Sequence, residues 1–220
     1  LMLALNRRIP RATWRTRDGN FSLNGLLGFD MHGKTAGIIG TGKIAKILIQ
    51  ILKGFGMNIL AYDLYPDNNF AREHQVVYTS LDELYHSSDI ISLHCPLTEQ
   101  TKYLINDYSI SKMKDGVMII NTGRGQLIHT NALIEGLKNK KIGSAGLDVY
   151  EEEGDYFYED KSDRIIDDDV LARLLSFNNV IVTSHQAFFT HEALENIAST
   201  TLQNIKDFAE NKSLANEVKV

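Results

Sequence analysis

The chain has 220 residues, of which 43% are hydrophobic and 23% are charged, and its formal net charge is −5. This composition is typical of a folded globular protein and excludes a disordered or collagen-like chain. The acidic balance argues against nucleic acid or an anionic membrane as the main partner, because neither attracts a net negative surface.

The cysteine content and the lengths of the apolar runs indicate the cellular compartment of the protein. Cys95 is the single cysteine, so the chain has no internal disulfide and no cysteine zinc motif. No run of about eighteen apolar residues could cross a bilayer. The apolar residues 1–5 precede Arg7 and Arg8, the reverse of the order in a signal peptide. We therefore expect a cytoplasmic protein with no membrane partner and no bound metal.

The first predicted element is a helix that includes residues 1–5. It starts directly on Leu1, with no capping residue before it, and we therefore expect that an N-terminal segment is missing.

Between residues 34 and 185, short β-rich runs alternate with helical patterns, as in a parallel sheet covered on both faces. About seven strands predict an α/β fold with a doubly wound parallel sheet. The predicted strands are Thr35–Ile39, Asn58–Tyr62, Val76–Tyr78, Ile90–His94, Val117–Asn121, Ala145–Tyr150 and Val180–Thr183.

The clearest helix follows the first strand and ends at Gly56. Helical spacing puts six of its apolar residues on one face. These residues are Ile44, Ile47, Leu48, Ile51, Leu52 and Phe55.

Three later features follow in chain order. Ser80 with Glu83 predicts a capping box, and Thr130 is expected to cap another helix. Residues 151–169 are acidic and aromatic, which indicates a functional loop or a surface excursion. A long helix is predicted over residues 192–211.

A dinucleotide fingerprint lies at the start of the clearest helix. Gly40-Thr41-Gly42-Lys43-Ile44-Ala45 fits G-x-G-x-x-G/A and directly follows a strand. Gly40 permits the tight turn, Gly42 leaves room for a pyrophosphate, and Ala45 is small where helix meets strand. The amide hydrogens at the helix start would bind the phosphates, which predicts a Rossmann-like domain.

Asp63 follows the second strand, 21 residues after Gly42. A carboxylate there accepts hydrogen bonds from the adenosine ribose, and it would repel the 2′-phosphate of NADP. The cofactor predicted is therefore NAD. The alternative is that Asp63 is only a turn residue before Pro66.

Three side chains that suit hydride transfer to a keto acid follow later strands. Arg124 can bind a carboxylate bidentately, and His185 can donate a proton near neutral pH. Glu153 would orient the imidazole and favour its charged form. Taken singly, Arg124 could cap a helix, Glu153 could be part of a solvated acidic run, and His185 could be an ordinary loop histidine.

Four motifs in this order resemble those of the D-2-hydroxyacid dehydrogenases. The chain is most similar to the lactate-forming members of that family, through the sequence after His185 and residues 158–162. The four motifs are Gly40-Thr41-Gly42-Lys43-Ile44, Asn121-Thr122-Gly123-Arg124-Gly125, Gly146-Leu147-Asp148-Val149-Tyr150 and Ser184-His185-Gln186-Ala187-Phe188.

The resemblance implies reduction of a 2-keto acid, pyruvate, to D-lactate with NADH. It assigns substrate binding to Arg124, acid–base catalysis to His185, and pairing with the histidine to Glu153. Phe188 and Phe189 would shape the substrate pocket, although core packing explains such aromatics equally well. The implied NAD contacts are Gly40, Gly42, Lys43, Ile44, Asp63, Cys95, Pro96, Thr101, Thr122, Gly123, Arg124 and Asp148.

The chain departs from the family pattern in two residues and in length. Ala45 stands where relatives often have a third glycine, and Thr101 where they often have asparagine. Family members carry roughly a hundred further residues before Leu1, so the resemblance implies a fragment with little turnover of its own.

The resemblance also implies a domain division. We expect an NAD-binding domain over 1–188, including a linking helix in Leu1–Trp14, and a C-terminal helix over 189–220 that returns to the substrate domain. The linking region would also contribute to a homodimer or higher homo-oligomer.

Two other functions stay open. One is a dehydrogenase for another D-2-hydroxy acid. The other is an NAD-sensing binding protein like the corepressors related to this family. A nucleotide-binding methyltransferase shares the early glycines but has no need of Arg124 and His185.

Overall fold

The computed structural model describes residues 1–217, except for the side chain of Asp155. Seven strands and nine α-helices are assigned in this part of the chain. The strands are β1 Thr35–Ile39, β2 Asn58–Tyr62, β3 Val76–Tyr78, β4 Ile90–Leu93, β5 Val117–Asn121, β6 Ile142–Leu147 and β7 Val180–Val182. The helices are α1 Met2–Asn6, α2 Ile9–Arg17, α3 Lys43–Gly54, α4 Asn68–His74, α5 Leu81–Ser87, α6 Asp107–Lys112, α7 Thr130–Lys138, α8 Asp169–Leu175 and α9 His191–Ala209.

All seven strands pair in parallel in the order β3-β2-β1-β4-β5-β6-β7. The direction of winding reverses between β1 and β4, and ligands of such sheets bind beyond the carboxyl ends of the strands at this point. The predicted doubly wound parallel sheet is therefore confirmed.

The core forms one apolar layer on each face of the sheet. Side chains of α1, α3 and α4 pack on one face, and side chains of α5 to α8 pack on the other. Neighbouring residues Ile38 and Ile39 of β1 enter opposite layers, as the alternation of side chains along a strand requires. The central strands are thus buried on both sides, which explains their continuous apolar sequences.

Two of the predicted strands extended too far at the carboxyl end. The ladders of β4 and β7 end before His94 and Thr183, although both amides still donate to a neighbouring strand. The range Ala145–Tyr150 was shifted, because β6 begins at Ile142 and Tyr150 has left the sheet. The amide of Tyr150 donates to the Glu153 carboxylate instead of to a strand.

The apolar face predicted for α3 packs on the sheet only in part, through the buried Leu52 and the partly buried Leu48. Ile44, Ile47 and Ile51 are more than half exposed, whereas Ala45 and Ile49 are fully buried. Because the apolar residues of α3 cover more than one face of the helix, periodicity alone could not identify the face that packs on the sheet. The small side chain of Ala45 lets the helix approach β1 closely.

Two other helix predictions were wrong in detail. The N-terminal helix is divided into α1 and α2 at Arg8, because Pro10 in the first turn of α2 has no amide hydrogen to continue α1. Thr130 is the first residue of α7 and not its cap, and its hydroxyl donates to Glu151. Ser80 does cap α5 by accepting from the Glu83 amide.

The chain divides into two compact units, Leu1–His185 and Gln186–Val220. The second unit contains α9, which Thr190 caps by accepting from the Ala193 amide. Its apolar side chains, such as Leu202 and Ile205, are exposed. The functional division at residue 188 stays a prediction, and residues 218–220 of the predicted C-terminal segment lie outside the described residues.

Candidate active site

The glycine turn between β1 and α3 is shaped by a close backbone approach. Gly40 has φ +89°, and a Cβ atom there would lie 2.5 Å from the amide nitrogen of Cys95. Gly42 precedes α3, and a Cβ atom at this position would point into open space. Within the described residues no side chain caps the start of α3. The first amides of the helix can therefore donate to a phosphate placed over Gly42.

Asp63, at the end of β2, is bonded to this turn. Its Oδ2 accepts from the amide of Thr41 at 2.6 Å and from the Thr41 hydroxyl at 2.9 Å, while Oδ1 accepts from the Tyr65 amide. Partial burial pulls the pKa of Asp63 up, but these hydrogen bonds outweigh it and lower the pKa below its usual value. Asp63 is therefore an anion that can accept further bonds from ribose hydroxyls and that also fixes the glycine turn.

A mainly apolar cavity of about 220 Å³ lies beside Asp63. It opens at the carboxyl ends of β1, β2 and β4, which is the expected place for a ligand. Together with the open space over Gly42 and the acceptor at Asp63, it fits the adenosine half of a dinucleotide. The lining residues are Ile39, Gly40, Tyr62, Asp63, Leu64, Tyr65, Leu81, Cys95, Pro96, Thr98, Gln100, Thr101 and Leu104.

Two predicted cofactor residues in this cavity are Cys95, whose thiol is buried, and Thr101, whose hydroxyl is hydrogen-bonded within the protein. Burial raises the pKa of the Cys95 thiol to about 11, so it remains protonated at neutral pH. The hydroxyl of Thr101 donates to the Pro96 carbonyl at 2.6 Å and closes the loop that forms one wall. Cys95, Pro96 and Thr101 thus shape the cavity mainly through their backbone and apolar surface.

The loop after β5 presents Arg124. Asn121 organises this loop, because its side chain accepts from the Gly123 amide and donates to the Arg124 carbonyl. Nη1 of Arg124 donates to the Gly123 carbonyl, and the residue is exposed. Thr122 and Gly123 are partly buried in the same turn. The guanidinium group is therefore accessible to an anionic ligand at the edge of the sheet.

Asp148, after β6, links the ends of three neighbouring strands. It is 1% exposed, and its Oδ1 accepts from the Thr183 hydroxyl at 2.5 Å. Its amide donates to the Asn121 carbonyl, and its own carbonyl accepts from the His185 amide at 2.7 Å. Backbone hydrogen bonds thus connect the loop that carries Arg124 with the turn that carries His185.

His185 and Glu153 form an ion pair when the imidazole is charged. Nδ1 of His185 lies 3.1 Å from Oε1 of Glu153, and the other carboxylate oxygen accepts from the Tyr150 amide at 3.1 Å. The backbone of His185 has φ +53°, in the left-handed region that few residues other than glycine adopt. The contact with Glu153 therefore holds the imidazole ring through Nδ1.

Four further residues were predicted to contact the cofactor or the substrate. Lys43 and Ile44 begin α3 and are exposed, consistent with backbone contacts to a phosphate. Phe188 and Phe189 belong to the second compact unit, where their rings meet edge to face with centroids 6.0 Å apart. Their place in a substrate pocket stays a prediction.

Sequence reasoning missed several residues that this edge of the sheet uses. Thr41 and Thr183 bond Asp63 and Asp148, and the Tyr158 ring lies 6.0 Å from the His185 ring. Thr41 lies inside the glycine motif, and Thr183 lies just before Ser184-His185. These neighbouring motifs could have identified both threonines as site residues. Nothing in the sequence places Tyr158 against His185.

The described residues, 1–217, have neither a metal-ligand cluster nor a membrane-spanning helix. They contain no group of three or more histidine, cysteine, aspartate or glutamate side chains arranged for a metal ion. None of their helices is long and apolar enough to cross a membrane.

Taken together, the sheet order, the glycine turn and the acceptor at Asp63 define the chain as a dinucleotide-binding domain. Residues 1–187 match the family described as D-isomer specific 2-hydroxyacid dehydrogenase, NAD binding domain. The chain belongs to this family, and the predicted cofactor, NAD, is confirmed.

The names of similar proteins are consistent with this family assignment. The chain is 56% identical to D-lactate dehydrogenase of Escherichia coli K12 over 218 residues, which are 99% of the chain and 66% of that protein. It is 50% identical to D-lactate dehydrogenase kk1H of Curvularia clavata, covering 98% of the chain and 62% of that protein. The chain thus spans just under two thirds of the length of these relatives.

Solved structures give the same result. The pyruvate reductase of Chlamydomonas reinhardtii superposes with a TM-score of 0.93 at 46% identity, covering 98% of the chain and 65% of that protein. D-lactate dehydrogenase of Aquifex aeolicus, complexed with NAD and lactic acid, gives a TM-score of 0.87 at 37% identity, with 96% and 64% covered.

Proposed function

We propose that the protein reduces a 2-keto acid to a D-2-hydroxy acid with NADH, and that pyruvate and D-lactate are the pair it interconverts. The observation that carries this proposal is the contact of His185 with Glu153 at the carboxyl edge of the sheet, two strands from the end of β5. The D configuration rests on the family to which the chain belongs.

Each proposed catalytic residue has a separate task. Arg124 binds the substrate carboxylate with its guanidinium fork and polarises the adjacent carbonyl group. His185 donates the proton on Nε2 to the carbonyl oxygen as negative charge develops there. Glu153 accepts from Nδ1–H, which fixes the ring orientation and stabilises the charged imidazole. Bound NADH would supply the hydride.

The dinucleotide is assigned to the turn and cavity at the start of α3. The amides of Lys43 and Ile44 would bind the pyrophosphate, and Asp63 would accept from the ribose hydroxyls. Thr122, Gly123 and Asp148 line the same edge of the sheet and would flank the nicotinamide half. Asp63 is the proposed reason for a preference for NADH over NADPH, because a 2′-phosphate would meet its negative charge.

The choice of pyruvate rests on relatives. The similar proteins of Escherichia coli and Curvularia clavata are named as D-lactate dehydrogenases, and that of Chlamydomonas reinhardtii as a pyruvate reductase. Phe188 and Phe189 are the proposed wall around the substrate methyl group. An apolar pocket separates substrates that differ by one methylene by only about 1–3 kcal/mol, so related keto acids are expected to react as well.

The test is an activity assay on the full-length protein as its source organism produces it. We expect NADH consumption with pyruvate, slower consumption with 2-ketobutyrate, phenylpyruvate and hydroxypyruvate, and a D-configured product. Failure to reduce any 2-keto acid would overturn the proposal. L-lactate as product would overturn the stereochemical part alone.

The proposal also covers the cellular compartment and the oligomeric state of the enzyme. We infer a cytoplasmic homodimer or higher homo-oligomer, because one cysteine provides no disulfide and several apolar side chains of α3 are exposed. Sedimentation equilibrium of the purified protein tests the assembly, and a monomer at micromolar concentration would contradict it.

A further inference from the structure

The carboxylate of Glu151 is an anion that takes no part in the proposed reaction. It is partly buried, and both oxygens of its carboxylate accept hydrogen bonds. Oε1 accepts from the hydroxyl of Tyr103 at 2.5 Å, and Oε2 accepts from the hydroxyl of Thr130 at 2.6 Å and from its amide at 3.1 Å. Burial raises the pKa of Glu151, but these hydrogen bonds outweigh it and lower the pKa, so the group is ionised at neutral pH.

These contacts join three segments that are distant in sequence. Glu151 lies two residues before Glu153, Thr130 is the first residue of α7, and Tyr103 lies in the loop after β4. Tyr103 has φ +52°, an unfavourable conformation for a tyrosine that its bond to Glu151 helps to maintain. A carboxylate at the start of α7 also interacts favourably with the helix dipole.

The same segments contact the loop that carries Arg124. The Tyr103 amide donates to the Gln126 carbonyl at 2.8 Å. A Cβ atom on Gly125 would lie only 1.9 Å from the Tyr150 carbonyl oxygen, so the chain after Arg124 is packed directly on the chain before Glu151. Glu151 thus ties the turn that carries Glu153 to the loop that carries Arg124.

We propose that Glu151 is a positioning residue that fixes the Glu153 carboxylate against His185 and sets its place relative to Arg124. This inference rests on the proposed function. Small displacements of reacting groups reduce rates strongly, so a loose turn at Glu151 would slow proton transfer while leaving the dinucleotide site intact.

The test uses four variants. Glu151→Ala removes all three bonds, and Glu151→Gln keeps the shape with only one of the two acceptor oxygens. Tyr103→Phe removes one bond, and Glu152→Ala changes a neighbouring exposed glutamate as the control.

Kinetics separate positioning from general destabilisation. We expect Glu151→Ala to lower kcat about tenfold or more with little change in the KM for NADH. Glu151→Gln should recover only part of this loss, Tyr103→Phe should lose less than Glu151→Ala, and Glu152→Ala should match the wild type. An unchanged kcat in Glu151→Ala overturns the inference. If that variant does not fold, an unchanged kcat in both Tyr103→Phe and Glu151→Gln overturns it.

A spectroscopic measurement makes the test independent of turnover. The ring nitrogen signals of His185 are assigned by their loss in His185→Gln and compared between variants by NMR. Glu151→Ala should move them in the same direction as Glu153→Gln does, and unchanged signals overturn the inference. If the wild type reduces no 2-keto acid, the proposed function fails, and these signals still decide the role of Glu151.

Discussion

Nδ1 of His185 lies 3.1 Å from Oε1 of Glu153, although the two residues are 32 positions apart in the chain. The contact depends on backbone hydrogen bonds at both ends, from the His185 amide to the Asp148 carbonyl and from the Tyr150 amide to Glu153. The proposed proton transfer depends on this pair, because the carboxylate orients the imidazole ring.

Replacement of Glu153 by glutamine should impair proton transfer. The amide cannot stabilise a charged imidazole, and its nitrogen would face the Tyr150 amide or His185. We expect kcat with pyruvate to fall about 10²-fold, while NADH binding measured by fluorescence titration stays unchanged. Glu152→Gln is the matched control, and an equal loss in that variant would contradict the role of Glu153.

His185→Gln distinguishes an enzyme from an NAD-sensing binding protein. Loss of the proton donor should lower kcat by about 10²–10⁴-fold and leave the affinity for NADH within the experimental error of the wild type. A protein that only senses NAD would show no turnover in the wild type, so the substitution would have no activity to remove.

Asp63 should control the choice between NADH and NADPH. Asp63→Ala removes the ribose acceptor and the negative charge, and we expect the preference for NADH, measured as the ratio of kcat/KM values, to fall at least about tenfold. Because Asp63 also anchors Thr41, Thr41→Val is the control for a disturbed turn. An equal loss of preference in Thr41→Val would assign the effect to the turn and not to the charge.

His94 should make stability depend on pH. Burial lowers its pKa to about 4, whereas the unfolded chain has the usual value near 6.5. Between these values the unfolded state binds a proton that the folded state does not, so stability falls as the pH falls through this window.

The measurement is urea unfolding at pH 7 and pH 5. The wild type should lose about 2 kcal/mol more of its free energy of unfolding than His94→Asn, in which this group no longer titrates. His94→Asn keeps a polar side chain opposite the Ser92 hydroxyl, which His94 contacts at 2.9 Å. Equal losses in the two proteins would contradict the prediction.

Gly125 should tolerate no side chain. Its missing Cβ atom would lie 1.9 Å from the Tyr150 carbonyl oxygen, so Gly125→Ala must separate the two loops. We expect a loss of about 1–3 kcal/mol in the free energy of unfolding, together with reduced kcat. Gly54→Ala at the end of α3 is the control, because a Cβ atom there meets nothing within 4 Å. A neutral Gly125→Ala variant would contradict the close packing.

The sequence by itself determined the class of fold and the cofactor. Apolar runs such as Val117–Asn121 are long enough only for strands, and helical spacing separates them from α3, so the parallel sheet follows from local pattern. The glycine motif with Asp63 is equally local, because the turn and the helix start lie within a few residues of each other.

Only the tertiary structure decided which surfaces meet. Periodicity could not identify the inward face of α3, because its apolar residues cover more than one face and the buried one is the face where Ala45 lies against the sheet. Nor could spacing reveal that Glu151 contacts Tyr103 and Thr130, since these contacts join three segments across the sheet edge. Residue types can indicate a chemistry, but the distances between them arise from strand order and loop packing, which no local pattern encodes.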